Sequence, residues 1–231
     1  GGFVPEQGKE LGWNDEITAP GVIVTPGWVE GQEVREPVKW HPGREATRYI
    51  ETLFEPGEVI GYVMQSRLDE EKQKYIPRNK GVYTLTAGEI LEKISKHGDD
   101  LGAALGDYEP EAGAWIRFNP LDGNDVRNSN VTEYRYALVE SDNLEIEKQN
   151  SLIRELELPV AVLMFSGGKS VHAIVRIDAA DYKEYQKRVE YLYQICEKNG
   201  LKVDTQNKNP SRLSRLPGCI RGGKKQFIID T

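Results

Sequence analysis

Residues 160–165, VAVLMF, constrain this 231-residue chain more than any other stretch. Six consecutive apolar residues bounded by turn signals read as a strand covered on both faces. The turn Ser166-Gly167-Gly168-Lys169 follows, and residues 170–177, SVHAIVRI, then alternate as a paired strand should. Such a hairpin needs helices over it, and the flanks supply them. Residues 144–156 carry Ile146, Leu152, Ile153 and Leu156 as apolar anchors, while Tyr182, Tyr185, Val189, Leu192, Tyr193 and Cys196 recur at helical spacing. Gly200 stands where a helix C-cap belongs. Residues 133–140, EYRYALVE, read as a strand before this block, and 201–204 as the start of a short strand after it.

Strand, helix, strand, strand, helix, strand is the β-α-β-β-α-β order of an α+β, RRM-like (ferredoxin-like) sheet. In that sheet the first and third strands pair antiparallel and the fourth flanks the first. The end of the first strand therefore lies beside the starts of the third and fourth. Glu140 and Asp142, two residues apart, share one face of an extended backbone, as do Ser170 and His172. Asp204 opens the fourth strand. Five polar side chains from three segments are expected to meet at one sheet edge, with Val171, Ala173, Val175 and Ile177 facing the helices instead.

The first half is less regular. Its first 40 residues are rich in Gly, Pro and isolated aromatics, with short strand-like pieces such as Val22 to Thr25, and read as irregular structure packed on something else. A helix is expected from Gly43 with Ala46, Tyr49, Ile50 and Leu53 on one stripe, then a strand at 58–65. Thr86 and Glu89 form a capping box ahead of Ile90, Leu91 and Ile94. Residues 114–118 read as a strand running into the turn 119–123. The organisation expected is an N-terminal α/β lobe, 1–130, packed on the RRM-like lobe, 131–231, the two making one combined domain.

Composition narrows the class. A formal net charge of −7 argues against a basic surface for nucleic acid, but the charge is uneven. Residues 201–231 hold seven Lys and Arg against two Asp, a local +5 beside an acidic body, which reads as an anion-binding segment or as a solvated tail. The 2 cysteines are too few for a disulfide scaffold, which points to a reducing, cytoplasmic setting. No apolar run approaches the ~20 residues of a membrane span, so no membrane partner is expected.

Three converging carboxylates, one imidazole and no thiolate suit hard cations such as Mg2+ or Mn2+, and paired hard cations serve phosphoryl or nucleotidyl transfer. Lys208, Arg212 and Arg215, just after Asp204, are placed to reach a polyphosphate. Taken singly, Glu140 and Asp142 read as surface acids and His172 as a satisfied sheet histidine; their joint placement carries the reading. Gly168-Lys169-Ser170 ends like a phosphate-binding P-loop, yet its first glycine would fall on Leu163 and no helix follows. His41, His97 and His172 with the two cysteines offer no zinc spacing. Trp13, Trp28, Trp40 and Trp115 read as packing, with Trp28 and Trp40 open as base-stacking platforms.

Three motifs then stand in order: acid-x-acid in LVESDN, Ser-x-His in SGGKSVHAIVRI, and hydrophobic-Asp in KVDTQNKNPSRLSRLPG. Together with GAWIRFNPLDG, they resemble the archaeo-eukaryotic primase superfamily over about half the chain, especially primase-polymerases of phages, plasmids and CRISPR loci. The resemblance implies the fold of that superfamily and template-directed nucleotidyl transfer on a single-stranded DNA template and primer, from dNTPs or NTPs. It implies two Mg2+ or Mn2+ ions held by Glu140, Asp142 and Asp204. It also implies phosphate binding by Ser170 and His172, helped by Lys169, Arg212 and Arg215. Arg117 and Asn119 carry over either as nucleotide contacts or as turn structure. The first motif opens on Glu where Asp is commoner in the family. Relatives of this kind continue into helicase or zinc-bearing regions, which would bring in helicase, CRISPR or replication proteins as partners. The alternative from topology alone is a non-catalytic RRM-like nucleic-acid-binding module; SVHAIVRI lacks the aromatic residues such a module stacks on bases.

Overall fold

A computed structural model describes residues 21–231. Gly1, Gly2 and Trp13, with the rest of residues 1–20, lie outside the described residues. The fold is mixed α+β with antiparallel sheets. One four-stranded sheet has the order β4-β1-β5-β9, built from β1 (Val59–Val63), β4 (Val82–Thr86), β5 (Trp115–Arg117) and β9 (Leu213–Arg215). The hairpin of β2 (Ser66–Asp69) and β3 (Lys74–Pro77) interrupts it in sequence. The other has the order β12-β7-β8-β6, from β6 (Tyr134–Val139), β7 (Val160–Phe165), β8 (Val171–Ala179) and β12 (Phe227–Asp230). A small ribbon pairs β10 (Ile220–Arg221) with β11 (Lys224–Lys225).

The helices follow their capping chemistry. In α1 (Pro42–Leu53) proline occupies the first turn, where its missing N–H costs nothing, and Ala46, Tyr49, Ile50 and Leu53 are buried. In α2 (Ala87–His97) the Thr86 hydroxyl accepts from the Glu89 amide, and the Glu89 carboxylate accepts from Thr86 N–H, completing the box in both directions. A short α3 (Leu101–Leu105) follows, absent from the sequence-based expectation. Helices α4 (Ile146–Glu155) and α5 (Tyr182–Lys198) cover the second sheet, and Gly200 past the end of α5 has φ +84, a conformation that favours glycine.

Sidedness in the second sheet follows the strand period. Ala137, Val139, Leu163, Val171, Ala173 and Val175 pack with Leu152 and Ile153 of α4 and with Tyr185, Val189, Leu192 and Cys196 of α5. The opposite face, with Leu138, Met164 and Ile174, joins Ile60 and Ile116 of the first sheet and Tyr49 and Ile50 of α1 in one core. The two sheets are thus packed through a shared apolar layer. Both cysteines are buried and unpaired, and no described helix is long and apolar enough to cross a membrane.

Strands β6, β8 and β7 adopt the expected neighbour order, with Val139 opposite Ala173 and Met164 opposite His172. The fourth strand differs. Residues 201–204 form no strand, and the sheet's fourth member is β12, on the far edge beside β7. The specific RRM-like arrangement is therefore not reproduced, and the outer edge of β6 shows why. Asn119 Nδ2 donates to Tyr136 O at 2.9 Å, and its Oδ1 accepts from Arg135 N at 3.0 Å and Tyr136 N at 2.9 Å. The hydroxyls of Tyr185 and Tyr193 donate to Tyr136 O and Leu138 O at 2.8 and 2.7 Å. Asp204 N donates to Glu140 O at 3.1 Å. Side chains thus occupy edge positions that a ladder would otherwise fill.

Residues 21–40 run as irregular chain along the helices, with a 3-10 turn at Pro26–Trp28 and no strand at Val22 to Thr25. Asn199 Oδ1 accepts from Ile23 N and Val24 N at 2.6 and 2.8 Å, and Gln32 N donates to Glu147 O at 3.0 Å. Trp28 is 86% exposed, whereas Trp115 is buried and Trp40 half-buried beneath the Lys225 ammonium.

Asn119 is fully buried, and replacing it with leucine strands backbone groups of Arg135, Tyr136 and Pro210. Asn119→Leu is expected to cost about 3 kcal/mol of stability. Urea unfolding followed by circular dichroism checks this; a midpoint equal to wild type would contradict it.

Candidate active site

The site lies where β6 ends and β8 begins. The antiparallel register puts Glu140 across from His172, and Glu140 is nearly buried. His172 Nε2 lies 2.6 Å from Glu140 Oε2, so that nitrogen carries the proton and donates it to the carboxylate. Its Nδ1 lies 3.2 Å from Ser214 Oγ on β9, a hydroxyl able to donate to a neutral ring or accept from a charged one. Ser170 Oγ donates to Glu140 Oε2 at 3.4 Å, and Asn207 Nδ2 donates to Glu140 Oε1 at 2.8 Å.

The neighbouring acids are shifted in opposite directions. Burial pushes the Glu140 carboxyl up, but the charge and hydrogen bond of His172, the Asn207 amide and the Arg212 charge outweigh it and hold Glu140 well below the usual carboxylate range. Asp142, at the exposed rim, is raised by partial burial and then by the charges of Glu140 and Asp204, against the weaker pull of His172 and Lys169. The three acids thus lie close enough for Asp142 to feel both others. Among the described residues no three His, Cys, Asp or Glu side chains enclose a cation as they stand. The donor chemistry nevertheless fits a hard cation, because carboxylate oxygens from Glu140, Asp142 and Asp204 predominate and no thiolate is present.

The turn between β7 and β8 is built to present these groups. Gly167 has φ +79, which lets residues 166–169 fold back so that Ser166 N donates to Ser170 O at 3.1 Å. Gln149 of α4 stitches this turn to the loop after β6: its Nε2 donates to Leu144 O at 2.7 Å and Lys169 O at 2.9 Å, and its Oε1 accepts from Val171 N at 2.9 Å. The Arg221 guanidinium lies against Gly168, where an added Cβ would sit 2.9 Å from Nη1, and it donates to Ser166 O at 3.1 Å.

Of the sequence-derived candidates, Glu140, Ser170 and His172 are brought into direct contact, with Asp142 and Asp204 beside them. Lys169 is exposed near Asp142, and the Arg212 charge reaches Glu140. Arg215 is buried: its guanidinium stacks 4.4 Å from the Trp115 ring centroid and donates to Ala112 O at 2.6 Å. Burial, with the Arg221 charge adding, lowers it to about 9. Lys208 is paired with Glu190 at 2.5 Å. Arg117 and Asn119 reach backbone rather than open space. Arg117 donates to Ser211 O, and Asn119 Nδ2 to Pro210 O at 3.0 Å, so both grip the segment between Asp204 and β9. Burial lowers the Arg117 guanidinium to about 10.

Asn207, Ser214, Arg221 and Gln149 were not singled out from sequence as site residues. Gln149 had a signal, since it falls on the apolar stripe of Ile146, Leu152 and Ile153, where a polar residue must find buried partners. Ser214 had none, because its partner His172 is brought to it only by pairing of β9 with β5.

Because Glu140 is depressed in the folded protein, its contribution to stability is complete above the unfolded value of about 4.3 and is lost as pH falls through the folded value. The melting-temperature gap between wild type and Glu140→Gln should therefore narrow from pH 5 to pH 3. A gap independent of pH would contradict the assignment.

No protein family matches the sequence, and no curated protein matches it. Solved structures resemble the fold. The AEP domain of the cyanophage S-2L primase-polymerase aligns with a TM-score of 0.52 at 18% identity, covering 82% of this chain and 90% of that one. Primase RepB′ aligns with a TM-score of 0.46 at 16% identity, covering 82% of this chain and 56% of that one. The catalytic domain of RepB′, solved in complex with initiator DNA, gives 0.47 at 16%, covering 82% of this chain and 85% of that one. Mixed α+β architecture and antiparallel sheets make this chain similar in fold to the AEP domain of the cyanophage primase-polymerase.

Proposed function

We propose that this chain is the catalytic core of a primase-polymerase of the archaeo-eukaryotic primase superfamily, joining nucleotides from nucleoside triphosphates on a single-stranded DNA template. The observation that carries the reading is the gathering of Glu140, Asp142 and Asp204 at the end of β6, beside His172 and under a cationic rim. A fold similar to an AEP domain supports it.

Mg2+ or Mn2+ would be held by Glu140, Asp142 and Asp204, and when bound such ions neutralise charge at the attacking and leaving oxygens. The chain's own groups do the rest. Lys169, Arg212 and Arg221 lie within electrostatic reach of the acids and bind the triphosphate, which brings the reacting phosphorus to the carboxylates and offsets its charge. Ser170 and His172 hold Glu140 ionised and oriented while lining the same turn. Arg117 and Asn119 fix the 210–211 peptides, which sets Ser214 on His172 and keeps Arg212 within electrostatic reach of Glu140. Arg215 contributes its charge from beneath, stacked on Trp115.

The binding-module alternative is disfavoured by packing. An RRM stacks bases on an open sheet face, and here that face, with Leu138, Met164 and Ile174, is buried against the first sheet and α1.

Labelled nucleotide incubated with single-stranded DNA and Mg2+ or Mn2+ is expected to yield template-dependent product. Asp142→Ala should reduce synthesis by roughly 100-fold or more. Synthesis equal to wild type would remove the metal assignment. The Lys169→Ala, Arg212→Ala double variant is expected to weaken triphosphate binding about 10-fold or more by calorimetry. Unchanged affinity would remove the cationic rim from the triphosphate site.

A further inference from the structure

We propose that Asn207 is a positioning residue that fixes the carboxylate plane of Glu140 for cation binding, an inference that rests on the metal-dependent reading above. Asn207 is fully buried in the 3-10 turn Thr205–Lys208. Its Nδ2 donates to Glu140 Oε1 at 2.8 Å, and its backbone N donates to Asp204 O at 3.2 Å. Asp204 N donates in turn to Glu140 O at 3.1 Å. These three bonds close a ring that joins the first acid to the third through one short turn.

The rest of the Asn207 side chain points to the same role. A buried asparagine that merely stabilises a loop satisfies both ends of its amide, as Asn119 does with Tyr136, Arg135 and Pro210. Asn207 Oδ1 is buried with no hydrogen-bond partner among the described residues, so the side chain is committed to its single bond with Glu140. Leaving that oxygen unpaired is a cost that the turn alone does not explain.

Glu140 needs a second anchor. Its side chain has one more rotatable bond than that of Asp142, and a partner on Oε2 alone leaves the carboxylate plane free to turn about its last bond. His172 and Ser170 hold Oε2, and Asn207 holds Oε1. With both oxygens fixed, the plane is set, and Oε1, which accepts the single bond from Asn207, retains acceptor capacity for a cation. Groups that orient a ligating carboxylate in this way tune affinity without touching the ion.

The test is Mn2+ binding without nucleotide or template, read from the electron paramagnetic resonance signal of the free ion. It uses wild type, Asn207→Leu and Asn207→Ser, with folding verified by circular dichroism. Leucine keeps the branching at Cγ, at a somewhat larger volume, and removes the donor; serine tolerates the polar pocket but is too short to reach Glu140. The dissociation constant is expected to rise roughly 10- to 100-fold in each folded variant. If leucine prevents folding, the serine variant decides. A variant with a lower melting temperature and wild-type Mn2+ affinity overturns the inference and leaves the metal reading intact. A wild-type protein that binds no Mn2+ overturns the metal reading and the inference together.

Discussion

The contact between Glu140 and His172 is the interaction on which the arrangement turns. A carboxylate so nearly buried cannot stay ionised without partners, and its partners come from separate segments: His172 and Ser170 from the β7–β8 hairpin, and Asn207 from the turn after α5. His172 passes the connection on to Ser214, which belongs to the other sheet. One chain of hydrogen bonds therefore crosses between the sheets at the point where their shared apolar layer ends. Leu138, Met164 and Ile174 supply the burial, and the polar chain fixes the register in which the sheets meet.

The outer edge of β6 explains why the C-terminal segment takes its unusual course. In a ferredoxin-like sheet that edge is filled by the fourth strand. Here Asn119, Tyr185 and Tyr193 fill edge positions first. Only the end of the strand, at Glu140 O, remains for Asp204 N. The chain after Asp204 is thus released from the second sheet. It is caught by Asn119, Arg117 and Asn128 and delivered to β5 as strand β9. Removal of the fourth strand and placement of Ser214 and Arg215 at the site are two results of the same substitution of side chains for a ladder.

Much of this was legible in the sequence. The apolar run 160–165, the alternating 170–177 and the helical stripes at 144–156 and 182–196 are local patterns whose periods survive in the fold. Glu140, Ser170 and His172 could be placed together because the register of paired strands follows from topology, whereas Asp204 arrives through its bond to Glu140 O without the expected fourth strand. Strands β9 and β12 could not be read, since three or four residues carry too little periodicity and each is defined by a partner distant in sequence. The same limit hid Ser214 and Asn207. Arg215 looked like a surface cation in a basic run, but stacking on Trp115 and the Ala112 carbonyl draw it inside.

Charge gives the site its division of labour. Glu140 and Asp142 stand two residues apart, yet their environments move them in opposite directions. Glu140 meets an imidazole, an amide and a nearby guanidinium; Asp142 meets partial burial and then the negative charge of Glu140 and Asp204 at the rim. Neighbouring titratable groups pushed apart in this way commonly hold different roles. Glu140 is committed to protein partners, so it serves as the fixed reference of the cluster. Asp142 lies at the exposed rim, where His172 and Lys169 only partly offset burial and the two neighbouring acids. Lys169, Arg212 and Arg221 lie within electrostatic reach of Glu140 or Asp142, and a site holding both signs of charge suits a ligand bringing both a small cation and a polyanion. Under the proposed function a metal-bound nucleoside triphosphate is such a ligand, and the acidic body of the chain is then compatible with a nucleic-acid enzyme whose positive charge is concentrated locally.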